Sequence, residues 1–453
     1  MLSSETCEPY CDFGSPIWHS GRKGERSRDW AVRKMRVVHL SKNDLSGGAA
    51  RAAYRLHKGL QRIGQESVLF VESRTSDDPR VTAFEKPMDI PSLVRRGLRQ
   101  IWISRGFNRY RQSRPAGFEL FSDDRSPYAS TVLEQIPACQ VINLHWIRGL
   151  VDYDSFFTRV LGSTPVVWTL HDLNPLTGGC HYDLGCGRYL THCGSCPQLG
   201  SSDSRDLSYK VWERKRGLFS TVSPSRLRFV TPSRWLAEEV RRSPILGKYP
   251  VCVIPYGLDL EEFAPRNRET VRDLLGIPRG ARVLLFVAED IGNRRKGFVH
   301  LVEALERCAR DVPNLFLLSL GHNRPDTQIQ IPYVHVGSVN NDRFLSMVYS
   351  AADLFAICSV QDNLPNTVLE AMACGIATVG TATGGIPDMV RNGVNGLTVD
   401  ATDVGGLADS ITELLNNKAR CAEMGANARR IAVEEYSLEL QAKRYTELYA
   451  SIG

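Results

Sequence analysis

From Met35 onward the chain repeats one hydropathic unit: a short apolar run, an amphipathic stretch, then another apolar run. "MRVVHLS" leads into "GGAARAAYRLHKGLQRIG" and "SVLFVE", and later come "CQVINLHW", "TPVVWTLHD" and "RLRFVTPS". The rhythm restarts at "ARVLLFVAED", passes through a helical pattern from Gly297 to about Arg310, and continues with "NLFLLSLG", "YVHVGSV", "ADLFAICS" and "IATVGTA". Strands that are apolar on both faces need cover on both, and interleaved helices supply it in a parallel sheet. The fold class is therefore α/β, and two runs of alternation predict two Rossmann-like domains. The expected divisions are a disordered extension over 1–34, a first domain over 35–245, a second over 246–435 and a helix over 436–453. The proline-bearing "YPVCVIPYGLDLEEFAPRNRE" is the expected connection.

The polar start, rich in Arg, Ser and Gly, lacks the apolar centre and cleavage site of a secretory signal, and Met35 is an alternative start. Apolar runs stay well short of the roughly 18 to 20 residues a membrane-spanning helix requires. Twelve cysteines without the regular spacing of a disulfide framework point to the reducing cytosol.

Fifty-six Lys and Arg against fifty Asp and Glu leave a charge of +6, which suits anionic small molecules or an anionic membrane surface and does not call for nucleic acid. The excess is uneven. "LVRRGLRQIWISRGFNRYRQSR", from Leu93 to Arg114, holds seven arginines and no acid among apolar residues. It reads as an interfacial helix or binding rim, or as a basic face above an apolar one packed on its domain.

Ligands of open parallel sheets bind beyond the carboxyl ends of the strands, so the loops there carry the chemistry. After the first strand, "SKNDLSGGAAR" offers Gly47 and Gly48 for close backbone approach to an anion, without the Gly-x-Gly-x-x-Gly of a dinucleotide dehydrogenase. The densest stretch is "SVQDNLPNTVLEAMACGIATVGTATGGIPDMVRNGVNGL". Pro365 opens a helix whose first turn holds Asn366 and Thr367, so free amides and the helix dipole face the cleft and favour phosphate. Glu370 lies about one turn further in, where a carboxylate accepts from ribose hydroxyls, and Gly384 and Gly385 offer a second close approach.

These residues carry a resemblance. Asp362, Pro365, Asn366 and Glu370 in "DNLPNTVLEAMACG", with "GGIPDMVRNGVNGL", "VTPSRWLAEEVRRS", "VIPYGLDLEEF" and "RRKGFVHLVEAL", resemble the acid-x7-Glu pattern of retaining glycosyltransferase family four. Within it the chain is similar to the exopolysaccharide, colanic-acid-like and capsule branch. The resemblance implies a GT-B architecture, with two Rossmann-like domains facing across a cleft and the final helix crossing back. It implies transfer of a hexose-type sugar from a nucleoside diphosphate to a glycan or lipid-linked glycan, with no cofactor required for catalysis. Lys296 and Arg295 would neutralise the departing diphosphate and Glu370 would hold the ribose. Asp362 with Asn363, Leu364, Pro365 and Asn366 would hold the sugar, and His171 would sit near the reacting centre. Asp290 stands where relatives often carry Arg, and Arg294 and Arg295 are the compensating cations. That substitution motivates a rival reading, a catalytically weak binding subunit; a nucleotide-sugar epimerase is another, which the helix at Asn366 disfavours.

One stretch remains. Residues 178–200 gather Cys180, Cys186, Cys193 and Cys196, separated by five, six and two residues. The spacing suits a structural four-sulfur zinc site, with His181 or His192 as substitute ligand; buried free thiols or a labile disulfide are the alternatives.

Overall fold

The computed structural model describes residues 34–323 and 329–452. The extension expected to be disordered lies, apart from Lys34, outside the described residues.

The first sheet has seven strands: β1 (Arg36–Asn43), β2 (Glu66–Ser73), β3 (Val81–Ala83), β4 (Val141–Leu144), β5 (Val166–Thr169), β6 (Leu227–Thr231) and β7 (Val251–Val253). They lie in the order β3-β2-β1-β4-β5-β6-β7. The second has β8 (Arg282–Asp290), β9 (Leu315–His322), β10 (Tyr333–Gly337), β11 (Leu354–Ile357), β12 (Ala377–Thr381) and β13 (Gly396–Val399), in the order β10-β9-β8-β11-β12-β13. Every neighbouring pair is parallel. β4 and β5 are buried at every position, as strands covered on both faces must be.

Each sheet reverses its strand order once, between β1 and β4 in one and between β8 and β11 in the other. Such switch points open a crevice at the strand ends. Here the two crevices face each other, so loops after β1, β4 and β5 meet loops after β8 and β11 across one cleft.

The domains are tied by more than the chain between β7 and β8. Helix Leu438–Ala450 returns to pack on the helix after β1, α1 (Gly48–Arg62). Its Tyr445 and Tyr449 hydroxyls bond Thr169 and Asn143 beneath the first sheet, at 2.9 and 2.7 Å. Its apolar side joins Val37, Leu56, Val141 and Val167 in one cluster.

The basic stretch forms α2 (Ile90–Asn108), started by Asp89, whose side chain accepts from the Ser92 amide. Of the two readings of this stretch, the packed apolar face is not the one seen. Within the helix only Ile103 is buried, while Val94, Leu98, Ile101 and Trp102 are exposed.

Candidate functional site

A cleft of about 630 Å³ separates the domains. Its size lies within the range of small-molecule sites. Gly47, Gly48, Trp146, His171, Asp172, His181 and Tyr256 line one wall; Glu289, Asp290, Arg295, Lys296, Asp362, Asn363, Leu364, Pro365, Asn366 and Thr367 line the other.

Two helix N-termini open onto it. Helix Asn366–Ala373 starts at Pro365 with no side-chain cap and no acid in its first turn; α1 starts at Gly47 in the same way. Their leading amides are left for a ligand, and the dipoles favour an anion. Gly47 has φ +93, a conformation glycine adopts without strain.

Beside helix Asn366–Ala373, Lys296 and Arg295 converge on Asp362. Lys296 Nζ lies 2.6 Å from Asp362 Oδ2 and Arg295 Nη1 3.1 Å from it, while Ser359 donates to the same oxygen at 3.2 Å. Burial alone would raise the Asp362 carboxyl; the attraction of Lys296, then of Arg295, overrides it and holds the group well below the ordinary range. Gly297 makes the meeting feasible: at φ +68, a side chain there would start 1.9 Å from the Cys358 carbonyl oxygen. Arg295 is buried, stacked 4.0 Å above Tyr182 and paired with Glu119 at 2.6 Å, so Lys296 is the more accessible cation of the two.

Several expected donor contacts are placed otherwise. Glu370 does not line the cleft: Arg55 of α1 donates to Oε1 at 2.8 Å and Tyr349 to Oε2 at 3.0 Å, in a buried cross-domain network. Nothing in the sequence near Arg55 signals a partner 315 residues away. Asn363 turns toward the first domain, donating to the His171 carbonyl at 3.1 Å and accepting from Ser233 at 2.5 Å. Gly384 and Gly385 serve close approach, but to protein. Added side chains would start 1.7 and 1.8 Å from the carbonyl oxygens of Asp362 and Asn363, so the pair lets the Asp362 loop fold down rather than admitting a ligand. Asn366 bridges the cleft by donating to the Gly48 carbonyl at 3.0 Å.

His171 stands at the cleft floor with both ring nitrogens engaged, Nδ1 with the Tyr256 hydroxyl at 2.7 Å and Nε2 with His145 at 3.0 Å. His145 continues to His39 at 3.0 Å. Burial pushes His171 down to about 4 and the other two well below their ordinary value, so all three are neutral near pH 7. Beside them Asp172 accepts from His181 Nδ1 at 2.6 Å, and His181 Nε2 shares a hydrogen bond with the Ser122 hydroxyl at 2.6 Å. His181 is thereby committed and is not a spare ligand.

The four loop cysteines do come together around one small cavity, bordered also by Phe121 and Tyr189. As the side chains are placed, no group of three or more His, Cys, Asp or Glu among the described residues is arranged to hold a metal ion. Burial raises the thiol of Cys180 well above its ordinary value and that of Cys193 to about 12, favouring the protonated forms; none of the ten described cysteines is in a disulfide. What holds the loop is Lys215, wholly buried, donating to the carbonyls of Asn174 at 2.6 Å and Thr177 at 3.0 Å. Arg188 closes the far side on the Gly194 carbonyl, and Asp206 accepts from the Cys196 amide. Lys215→Met removes a charged donor from two inner carbonyls and is expected to cost about 1–3 kcal/mol. A lowered denaturant midpoint with faster proteolysis between residues 183 and 196 is the expected reading; unchanged values would show that the loop is held by something else.

Comparison with known proteins places this geometry. Residues 281–417 match the family model "Glycosyl transferases group 1". The chain is 31% identical over 182 residues to D-inositol 3-phosphate glycosyltransferase of Mycolicibacterium smegmatis, covering 37% of this chain and 40% of that protein. It is 27% identical over 342 residues to alpha-maltose-1-phosphate synthase of the same organism, covering 70% and 80%. Among solved structures, Anabaena Alr3699/HepE in complex with UDP-glucose superposes with a TM-score of 0.63 at 17% identity, over 92% of this chain and all of that one. The likeness establishes the fold: two parallel-sheet Rossmann-like domains in the GT-B arrangement.

Proposed function

We propose that this chain is a retaining glycosyltransferase that moves a hexose-type sugar from a nucleoside-diphosphate sugar to a growing, lipid-linked glycan of the exopolysaccharide, capsule or lipopolysaccharide kind. The observation that carries the reading is Lys296 beside the uncapped N-terminus of helix Asn366–Ala373, in an interdomain cleft of about 630 Å³. In the reaction the bond from sugar C1 to the diphosphate oxygen breaks and a bond from C1 to the acceptor oxygen forms. Negative charge grows on the diphosphate, where the Lys296 ammonium and the helix amides stabilise it. The acceptor's proton passes to the departing phosphate oxygen on the same face, which accounts for retention without a two-carboxylate scheme. Asp362 then acts by aiming Lys296; a carboxyl held this low has no proton to donate near pH 7 and is a weak base.

The C-terminal part carries the family match and the phosphate-friendly helix, so it holds the donor; the wall with His171, Tyr256 and Trp146 meets the acceptor. The test is release of nucleoside diphosphate across a panel of nucleotide sugars, with and without lipid-linked acceptor. One base and sugar should stand out, with release rising when acceptor is added. Saturable binding without release would leave the binding-subunit reading in its place, and no binding of any nucleotide would end both.

A further inference from the structure

Helix α2 presents an apolar stripe to its surroundings. Ile90, Val94, Leu98, Ile101 and Trp102 fall within an arc of about 120° at helical pitch, and all are exposed, Ile90 by 77%, Leu98 by 64% and Trp102 by 53%. Met88 just before the helix is exposed too. The opposite side fastens the helix: Arg99 donates to Asp152 at 2.5 Å and to the Ser126 carbonyl at 2.7 Å, and Ile103 is buried. Trp102 is steadied by the Arg125 guanidinium, 4.0 Å from its ring centre. Its unburied half therefore belongs to a fixed surface, not to a loose side chain.

Charge surrounds the stripe. Arg95 lies along its edge, Arg105 caps its C-terminal end, Arg109 and Arg111 follow, and no acid occurs between Ile90 and Phe118. We infer that this face docks the protein on an anionic lipid bilayer, with the helix lying in the plane of the interface. The combination selects that occupant. A polyanion in water would engage the arginines but leave the isoleucines, leucine and tryptophan wet, whereas a bilayer offers phosphates above and hydrocarbon below. A second copy of the chain would bring one arginine-rich face against another. No helix among the described residues is long and apolar enough to cross a membrane, so the contact is in-plane.

Position links the surface to the cleft. The segment after α2 runs to Glu119, which accepts from Arg295 and Asn293 across the domains at 2.6 and 2.9 Å, and to Leu120 in the cleft lining. A docked face therefore stands next to the cleft mouth. The link to a lipid-linked acceptor rests on the proposed function; the docking itself does not.

Sedimentation of the full chain with phosphatidylcholine vesicles, alone or with about a third phosphatidylglycerol, tests the inference. Binding to the anionic vesicles at low salt should exceed that to neutral ones at least about tenfold and should weaken severalfold when salt screens the arginines. The double variant Leu98→Ser/Ile101→Ser should lose about tenfold in partition at low salt. Arg95→Gln/Arg105→Gln should lose the preference for anionic lipid while keeping residual binding. All four positions are exposed, and circular dichroism verifies the fold. No sedimentation at low salt, or partition unmoved by either variant, overturns the inference. So does a dimer in light scattering that Leu98→Ser/Ile101→Ser turns to monomer. No sugar donor enters the assay, so failure of the transferase reading and failure of docking are separate results.

Discussion

Lys296→Ala is expected to slow nucleoside-diphosphate release by about a hundredfold or more while leaving thermal unfolding nearly unchanged. A preorganised cation facing charge that develops only in the transition state contributes about 3 kcal/mol, which is that factor in rate. The fold should be spared because Asp362 keeps Arg295 at 3.1 Å and Ser359 at 3.2 Å when the ammonium is gone. Glu370→Ala is the instructive contrast. It leaves the buried Arg55 with no carboxylate nearer than Asp342, 3.7 Å away, and so should destabilise by about 3–5 kcal/mol before activity is even considered. Turnover measured together with melting temperature separates the two variants. Undiminished release by Lys296→Ala would remove Lys296 from the chemistry, and a normally stable Glu370→Ala would show the cross-domain network to be dispensable.

Stability is expected to fall steeply between pH 6.5 and 4, a decline that begins above the pH at which ordinary carboxylates are protonated. His171 and His57 are pushed down to about 4 by burial, and burial holds His39 and His145 well below their ordinary value. In this window the unfolded chain binds protons at these sites and the folded one does not, so stability rises with pH and is lost on acidification. His171 and His57 each contribute about 3 kcal/mol over the window, and His39 and His145 act in the same direction. Asp362, held low, acts in the opposite region: its contribution is present above about pH 4 and lost below. Urea midpoints from pH 7 to 4.5 should drop sharply, and His39→Leu should shallow the slope by about one proton. Midpoints that hardly move over this range would show that the imidazoles are not buried as described.

The alternation of apolar runs was legible because both sheets are parallel and covered, which prints a strand as an unbroken apolar run. The Asp362 loop and the phosphate-friendly helix were legible for a local reason: proline, uncapped first turn and strand end are neighbours in sequence. Arg55 and Glu370 were not, because their meeting depends on how two domains face. Gly384 and Gly385 showed the need for close approach without showing what approaches. The imidazole column left a signal that went unused, since "RVVHL", "INLHW" and "WTLHD" each put a histidine at or near the end of an apolar strand, and those strands are neighbours. The cysteine spacing announced that four thiols would gather, but it carries no record of the buried lysine that fastens the same loop.

Helix Leu438–Ala450 covers strands that leave the ribosome long before it does. Until it arrives, Val37, Leu56, Val141, Val167, Val230 and Ile254 lack the partner surface supplied by Ala442, Tyr445, Leu448 and Tyr449. The first domain therefore waits, with an apolar flank uncovered, through translation of the entire second domain, and its folding completes only after Tyr449 is made. At typical elongation rates of about 5–20 residues per second, the roughly 200 residues between β7 and Tyr449 impose a delay of about 10 to 40 seconds, during which chaperone capture or misassociation competes. Ribosome speed over the second domain thus becomes a determinant of yield, and the first domain expressed by itself should aggregate unless that helix is supplied in trans.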